Sequence, residues 1–468
     1  MPKHYKRHAV RGCPEIPMAN KLLTVIVAVI VVVAVVAAAV VVMNNDNGTD
    51  ASYEFDDLQL MVYGNANKDF TIDEKDSELI QSIIDGEVQD AMQTYPFADV
   101  NVDGVIDEKD LTALEGIIAR EPGTLHVACV DRQGNDVVKS IQYPLENIAV
   151  VGVGAITASL CTNAGDNVVT YASFPVSYPN AYSALKGTSF NTTGANHDWS
   201  IFVQVDQETP VDAMFIDYQY AAFLNDNEYE SLDLGSIPYL IYKVSSPNAH
   251  TSAAVTMGFL CGEETEKVGY QFASDTYDVL SHIQSIVGDM SDEDKATFIT
   301  LARSTSISQN QHANNDVGII GGGIPYYQTN SEFAGKYEGT GTDNSPADAL
   351  AQYQDADAYI SITSKDFGAD PADVVVGLME PASGTDPLVF FHGVEDRWYY
   401  INNLLPGAMK AAYAAEAMYP DLFEGYGDQV AQEFIDAGYS LIAGQTVDSL
   451  AGFLTYQDYL DAKGEAQA

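Results

Sequence analysis

Residues 148–169 read IAVVGVGAITASLCTNAGDNVV. Ile148 to Val153 is a short apolar run rich in β-branched residues, the signature of a buried strand. AITASLCTNA follows at helical spacing, Gly165-Asp166 makes a turn, and Asn167 to Tyr171 begins a second strand. Strand, helix and strand in so few residues point to a parallel α/β layer rather than to hairpins.

Downstream the alternation continues. Met214 to Asp217 and Tyr239 to Val244 read as strands. From His250 to Val287 apolar residues recur at helical spacing, with Gly258 and Gly262 as possible interruptions, which predicts one long helix or a broken pair. Strands resume at Ala296 to Leu301, Ala358 to Ile362 and Trp398 to Ile401, and Ala408 to Gly438 is helical. GIIGGGIP, 318–325, lacks the Lys-Ser/Thr of a phosphate loop and reads as a strand and turn. The layout is two α/β halves joined by a long helical stretch.

Upstream, residues 124–154 alternate apolar and polar around Arg132-Gln133-Gly134-Asn135, a hairpin. Before Pro122-Gly123 one pattern is written twice, NANKDFTIDEKD at 65–76 and DVNVDGVIDEKD at 99–110. Oxygen side chains fall at loop positions 1, 3, 5, 9 and 12: Asn65, Asn67, Asp69, Asp73 and Asp76, then Asp99, Asn101, Asp103, Asp107 and Asp110. Thr71 and Val105 at position 7 offer carbonyls. This is oxygen-only spacing for a hard cation, and it predicts two calcium sites. Position 6, where the loop turns sharply, is Gly104 in the second copy and Phe70 in the first, so the first site is the irregular one.

Leu22 to Met43 carries no charge over 22 residues, enough to cross a bilayer as a helix, and five cations precede it. A cytoplasmic N-terminus, an uncleaved single-pass anchor and an extracytoplasmic remainder are expected. With 21 Lys and Arg against 67 Asp and Glu, the net charge is −46, which argues against nucleic acid as a partner. Four cysteines without a CxxC pair predict neither zinc nor a disulfide framework.

Two resemblances follow from these residues. Residues 58–122 resemble a type I dockerin, an EF-hand-like all-α module with Asp at position 12 of both loops. The resemblance implies calcium at each loop and a cohesin-containing partner met through Glu74, Lys75, Glu108 and Lys109. Residues 124–460 resemble the solute-binding proteins of iron-siderophore and cobalamin ABC importers. The stretches that carry this likeness are 148–169, SIPYLIYK at 236–243, PADALAQYQDADAYISI at 346–362 and RWYYINNLLPGAMKAAYAAEAMYPDLF at 397–423. It implies two Rossmann-like lobes (about 124–245 and 291–460) bridged by a helix at about 250–290, as in class III periplasmic binding proteins. It also implies docking to a permease through an acid on each lobe, here Asp198 (or Glu208) and Asp348. Linker 44–57 and the basic tail 1–21 complete the domain plan.

Ligand residues should lie at the carboxyl ends of strands. The candidates are Tyr178, Tyr218, Tyr242, Arg303, Trp398 and Tyr399, with Phe174, Ser177, Tyr220, Ser304, His312, Thr363 and Lys365 beside them. Aromatic walls suit a metal chelate or corrinoid. Arg303 is one of only 12 Lys and Arg beyond residue 123. His312 and His392 have no companions at ligand spacing. No catalytic constellation stands out, so a non-enzyme is expected. The expected function is capture of a metal chelate or corrinoid for an ABC importer. The alternatives are a cell-surface scaffold using the dockerin-like module and a dockerin-borne carbohydrate-active enzyme. The acidity and the fusion suggest an archaeal source, by resemblance.

Overall fold

Central to the first lobe is β3 (Ile148–Val151), buried at every residue. Ile148 and Val150 face one core cluster and Ala149 and Val151 the other, as expected of a parallel strand covered on both faces. In this computed structural model, which describes residues 58–172, 178–192, 197–244, 246–303, 306–339, 342–343, 352–380 and 393–464, β3 pairs in parallel with β4 (Val168–Ala172) and β6 (Ala213–Asp217). Two further parallel strands, β5 (Thr188–Ser189) and β7 (Tyr239–Tyr242), flank them. The hairpin of β1 (Gly123–Val130) and β2 (Asp136–Tyr143) joins β7 antiparallel, giving the order β2-β1-β7-β6-β3-β4-β5.

The second lobe has a parallel centre of β8 (Thr297–Arg303), β12 (Ala358–Thr363) and β13 (Trp398–Asn402). The order is β11-β9-β8-β12-β13-β14, with β9 at Ser306–Ser308, β11 at Thr342–Asp343 and β14 at Phe453–Thr455. A two-residue strand, β10 (Ile324–Pro325), also pairs with β8. The α/β expectation and its two sheets are therefore present.

The long helical stretch is a helical hairpin rather than one helix. Helices α1 (Glu74–Ile84) and α2 (Glu108–Ile118) precede lobe one, whose α3 to α5 are Val153–Cys161, Trp199–Glu208 and Asp226–Gly235. Then α6 (Pro247–Leu260) turns at Cys261-Gly262 into α7 (Glu263–Val287). Gly262 has φ +114, which reverses the chain. A Cβ on Gly258 would lie 2.7 Å from the Thr265 carbonyl oxygen, so glycine lets the two helices cross closely. The 25-residue α7, about 37 Å long, is the segment that leads to lobe two.

The 318–325 expectation of a strand and turn is corrected at its start only, since Gly321-Gly322 is a turn and Ile324–Pro325 a short strand. Asn314–Ile320 is a helix, α8, and the following glycines fit under neighbours: a Cβ on Gly323 would sit 2.2 Å from Met418 Sδ. The remaining helices used below are α9 (Pro371–Met379), α10 (Gly407–Met418), α11 (Tyr426–Ala437) and α12 (Tyr456–Lys463).

Residues 58–122 are part of the same compact unit, Phe55–Ala468. Their helices α1 and α2 pack on each other, and Ile72, Ile80, Leu114 and Ile117 belong to the core cluster that contains Leu125 and Val127 of β1. The expected membrane span 22–43 and linker 44–57 lie outside the described residues. Among the described residues no helix is long and apolar enough to cross a membrane. Cys129, Cys161 and Cys261 are free thiols.

Candidate functional site

The parallel strands of lobe one end at a small polar cavity between the lobes. After β3 the chain runs Gly152-Val153-Gly154 into α3. Gly152 has φ +98, and a Cβ there would sit 2.6 Å from Asp217 Cβ. A Cβ on Gly154 would sit 2.1 Å from Val244 Cγ2. Both glycines are needed for the backbone to reach Asp217, the last residue of β6. Asp217 accepts from the Gly154 N–H at 3.1 Å, at the positive end of α3, and from the Gln219 N–H at 3.0 Å.

Lobe two supplies the opposing charge. Lys410 stands in the first turn of α10, 5% exposed, and reaches Asn403 Oδ1 at 3.4 Å. Gly407 packs against the start of α6, where a Cβ would lie 2.5 Å from Pro247 Cα. His250 on α6 places Nε2 3.0 Å from Thr157 Oγ1. That hydroxyl donates to the Gly154 carbonyl, so the network puts the imidazole proton on Nε2. Nδ1 is then a buried acceptor with no partner. Asp217, Lys410, His250, Thr157, Tyr220, Asn314 and Asn403 line a cavity of about 50 Å³. That is room for a few waters.

Burial shifts all three ionisable groups toward neutrality. Desolvation raises the Asp217 carboxyl to about 6 against the opposing pull of its N–H partners and Lys410. It lowers the Lys410 ammonium to about 8, with Asp217 acting to hold the charge. It lowers His250 to about 3. Ionisable groups this strongly perturbed, gathered in a crevice at strand ends, mark a candidate functional site.

A polar clasp closes the rim. Asp366, in the loop after β12, accepts the Asn180 N–H at 3.1 Å, the Ala181 N–H at 3.0 Å and Asn180 Nδ2 at 3.0 Å. Asn180 Nδ2 also donates to the Phe367 carbonyl at 2.7 Å.

The expected ligand residues divide. Tyr178 is at the interlobe rim and Tyr220 lines the cavity. Tyr218 packs outward, its hydroxyl 2.9 Å from where a Gly134 Cβ would be. Tyr242 is buried beside Phe215. Trp398 and Tyr399 open β13, so they sit at its amino end, opposite the cleft. Trp398 is in the core of lobe two and Tyr399 stacks on Phe453 at 5.7 Å. That corrects the expectation, which took an aromatic strand start for a strand end. Lys365 donates its N–H to Asn402 Oδ1, and Thr363 ends β12. His312 Nδ1 accepts from the Asn314 N–H. Phe174, Ser177, Ser304, Asp348, His392 and the side chain of Arg303 lie outside the described residues. Asp198 precedes α4, half-exposed, and bonds Ser200.

Missed in the sequence were Asp217, Lys410, His250, Asn403 and Asp366. Asp217 adjoins the chosen Tyr218, and Lys410 is a rare cation inside the apolar run LLPGAMKAAYAAEAM. Both carried a signal.

The duplicated loops fold nearly alike. Asp76 Oδ1 and Oδ2 accept the N–H groups of Asn67 and Asp73, as Asp110 accepts those of Asn101 and Asp107. Asp76 and Asp110 are fully buried, and burial raises both carboxyls, Asp76 to about 6. Among the described residues no group of three Asp, Glu, His or Cys is gathered as a metal site; the loops' donors also include Asn side chains and backbone carbonyls. The donor chemistry nonetheless fits calcium: oxygen ligands at the right spacing, with buried carboxylates in need of a countercharge. At position 6, Gly104 has φ +88, whereas Phe70 is not among the positive-φ residues. Loop one therefore turns differently, and Asn65 Nδ2 donates to Leu60 and Asp69 carbonyls instead. Glu74, Lys75, Glu108 and Lys109 are exposed, with Lys109 held 3.3 Å from Asp103 and 3.2 Å from Asp107.

No protein-family model matches the chain, and no curated protein does. Solved structures do. A TroA-like periplasmic binding protein, FepB from Veillonella parvula, is 12% identical, with TM-score 0.49 over 70% of this chain and 99% of that one. CeuE of Helicobacter pylori with Ni(II) bound is 14% identical, with TM-score 0.45 over 66% and 95%. An ABC transporter solute-binding protein from Sulfurospirillum deleyianum is 10% identical, with TM-score 0.45 over 72% and 98%.

Proposed function

We propose that this chain is an anchored extracytoplasmic solute-binding protein, capturing a metal chelate or corrinoid between its lobes and delivering it to an ABC permease. One observation carries the reading: strand ends of both lobes converge on one crevice whose floor is polar, buried and oppositely charged from the two sides, Asp217 against Lys410. A groove at the carboxyl ends of parallel strands is where α/β folds hold ligands. Asp217 and Lys410 hold the floor of the site, Tyr178 and Tyr220 its wall, and solute displaces the clasp at Asp366. Calcium in the two duplicated loops and a cohesin-type partner at Glu74, Lys75, Glu108 and Lys109 belong to the same proposal, as do Asp198 and Asp348 for permease docking.

The test is a thermal-shift panel of ferric siderophores, cobalamin and haem. Binding of one of them, weakened at least tenfold by Lys410→Met, supports the reading; no shift across the panel overturns it. A second reading, a surface scaffold whose binding fold no longer takes solute, is favoured by the cavity of about 50 Å³ and the bonded rim. It predicts a silent panel together with cohesin binding.

A further inference from the structure

Dockerin-like loops would be expected to hang beside the domain they serve. Here residues 58–122 are bonded into it at four places. The Gln59 and Met61 N–H groups donate to Ser252 Oγ and Thr256 Oγ1 of α6, each at 2.9 Å. Val62 bridges Val127 of β1, where Tyr63 N–H donates to the His126 carbonyl at 2.9 Å. At the end of α2, Arg120 donates from Nε to Glu266 Oε2 on α7 at 2.9 Å, and its guanidinium covers the Phe259 ring of α6 at 4.9 Å. The pair is largely shielded, with side-chain exposures of 25% and 12%.

The fourth contact explains the irregular loop. Phe70, where glycine was expected, sets its ring edge-on to Tyr277 of α7, centroids 6.4 Å apart. Loop one is also tied to the strand-like segment ahead of it: Leu60 N–H donates to the Asp69 carbonyl at 2.9 Å, and Asn65 Nδ2 to the Leu60 carbonyl at 2.8 Å. Gln59 and Met61, on either side of Leu60, are the residues bonded to α6. The first duplicated loop and the helical hairpin between the lobes are thus joined by direct contacts.

We infer that the duplicated loops are a brace for the α6–α7 hairpin, through Phe70, Arg120 and the segment 58–62, so that calcium taken up by the loops sets the stability of the whole solute-binding unit. The inference rests on the calcium reading proposed above and reaches past it: an independent docking module would leave the large domain indifferent to calcium. Ligand bound only to the folded state stabilises whatever unfolds together with its site.

The experiment is calorimetry of the full chain in detergent, with calcium and with chelator. Scanning should give one cooperative transition for the folded unit, raised by about 3–6 °C when calcium is at a hundredfold excess over its Kd. Hydrogen exchange should slow in α7 around Glu266 to Tyr277. Phe70→Gly, which restores a regular turn at position 6, should keep or improve calcium uptake in titration calorimetry while reducing the slowing of exchange in α7 by half or more. Two separate transitions, with calcium moving only the smaller, overturn the brace. So does a Phe70→Gly variant that leaves the α7 response unchanged. Absence of any binding heat for calcium overturns the calcium reading itself, and the brace with it, a result told apart from the others by the titration.

Discussion

Asp217 and His250 sit in one cavity and respond to acid in opposite directions. The folded pKa of Asp217, about 6, lies above its ordinary 3.8, so between these values the folded state holds the extra proton and stability falls as pH rises. The folded pKa of His250, about 3, lies below 6.5, so there the unfolded chain takes the extra proton and stability falls as pH drops. From pH 6 to 4 the two trends partly cancel. Asp217→Asn removes one of them, and the variant should lose about 2 kcal/mol more than the parent on acidification from pH 6 to 4, read by urea melts at each pH. Parallel profiles would refute the assignment. Lys410 acts on the other side of neutrality: with a folded pKa of about 8 against 10.5, its contribution to stability rises with pH across that range. At the residue scale the sequence pointed to the cleft end of β6 and to Tyr220, but to the far end of β13 and past Asp217. Tyr218 was chosen for its ring, although Asp217 beside it is the group the sheet delivers to the crevice. Burial of a carboxylate against a lysine 193 residues away is a tertiary fact with no local trace.

Among the elements, the α6–α7 hairpin matters most. The periodicity from His250 to Val287 was legible, and so were the two glycines, but periodicity alone does not say whether a glycine kinks a helix or folds it back. Contact decides that: Gly258 faces the Thr265 carbonyl and Gly269 faces Val255. Gly258→Ala should therefore destabilise the fold by about 2 kcal/mol or more, because the added methyl meets backbone rather than a yielding side chain. A thermal melt checks it, and a loss below half a kcal/mol would mean the crossing is looser than described. Strands β3, β6, β7, β8, β12 and β13 were readable for a simpler reason. Each is a short apolar run between turn residues, and a parallel strand needs nothing more. The segment GIIGGGIP misled in part: its glycines do make the turn, Gly322 at φ +94, but Gly318 to Ile320 end a helix, where Gly318 packs under Phe298.

For the molecule as a whole, charge and closure set the behaviour. A net charge of −46 makes the compact state repel itself, so salt should raise the melting temperature steadily from 0.05 to 1 M sodium chloride. A flat response would show that the acids are locally neutralised. Asp366→Ala deletes the acceptor of three N–H bonds across the rim. Small-angle scattering should then report a larger radius of gyration than the parent, and an unchanged radius would mean the lobes are held by α7 and the floor contacts alone. The two-lobed plan was visible in the sequence as two runs of strand and helix, whereas the clasp was not, since it joins loops 186 residues apart. That clasp also has a kinetic signature. Under the proposed function, solute meets a door that opens at its own pace, so the observed rate of association should climb with solute and then level off at the frequency with which Asp366 lets go. Apparent affinity falls by the fraction of time spent shut. Loosening the clasp would quicken capture and tighten apparent binding, up to the point where the open protein no longer retains what it has caught.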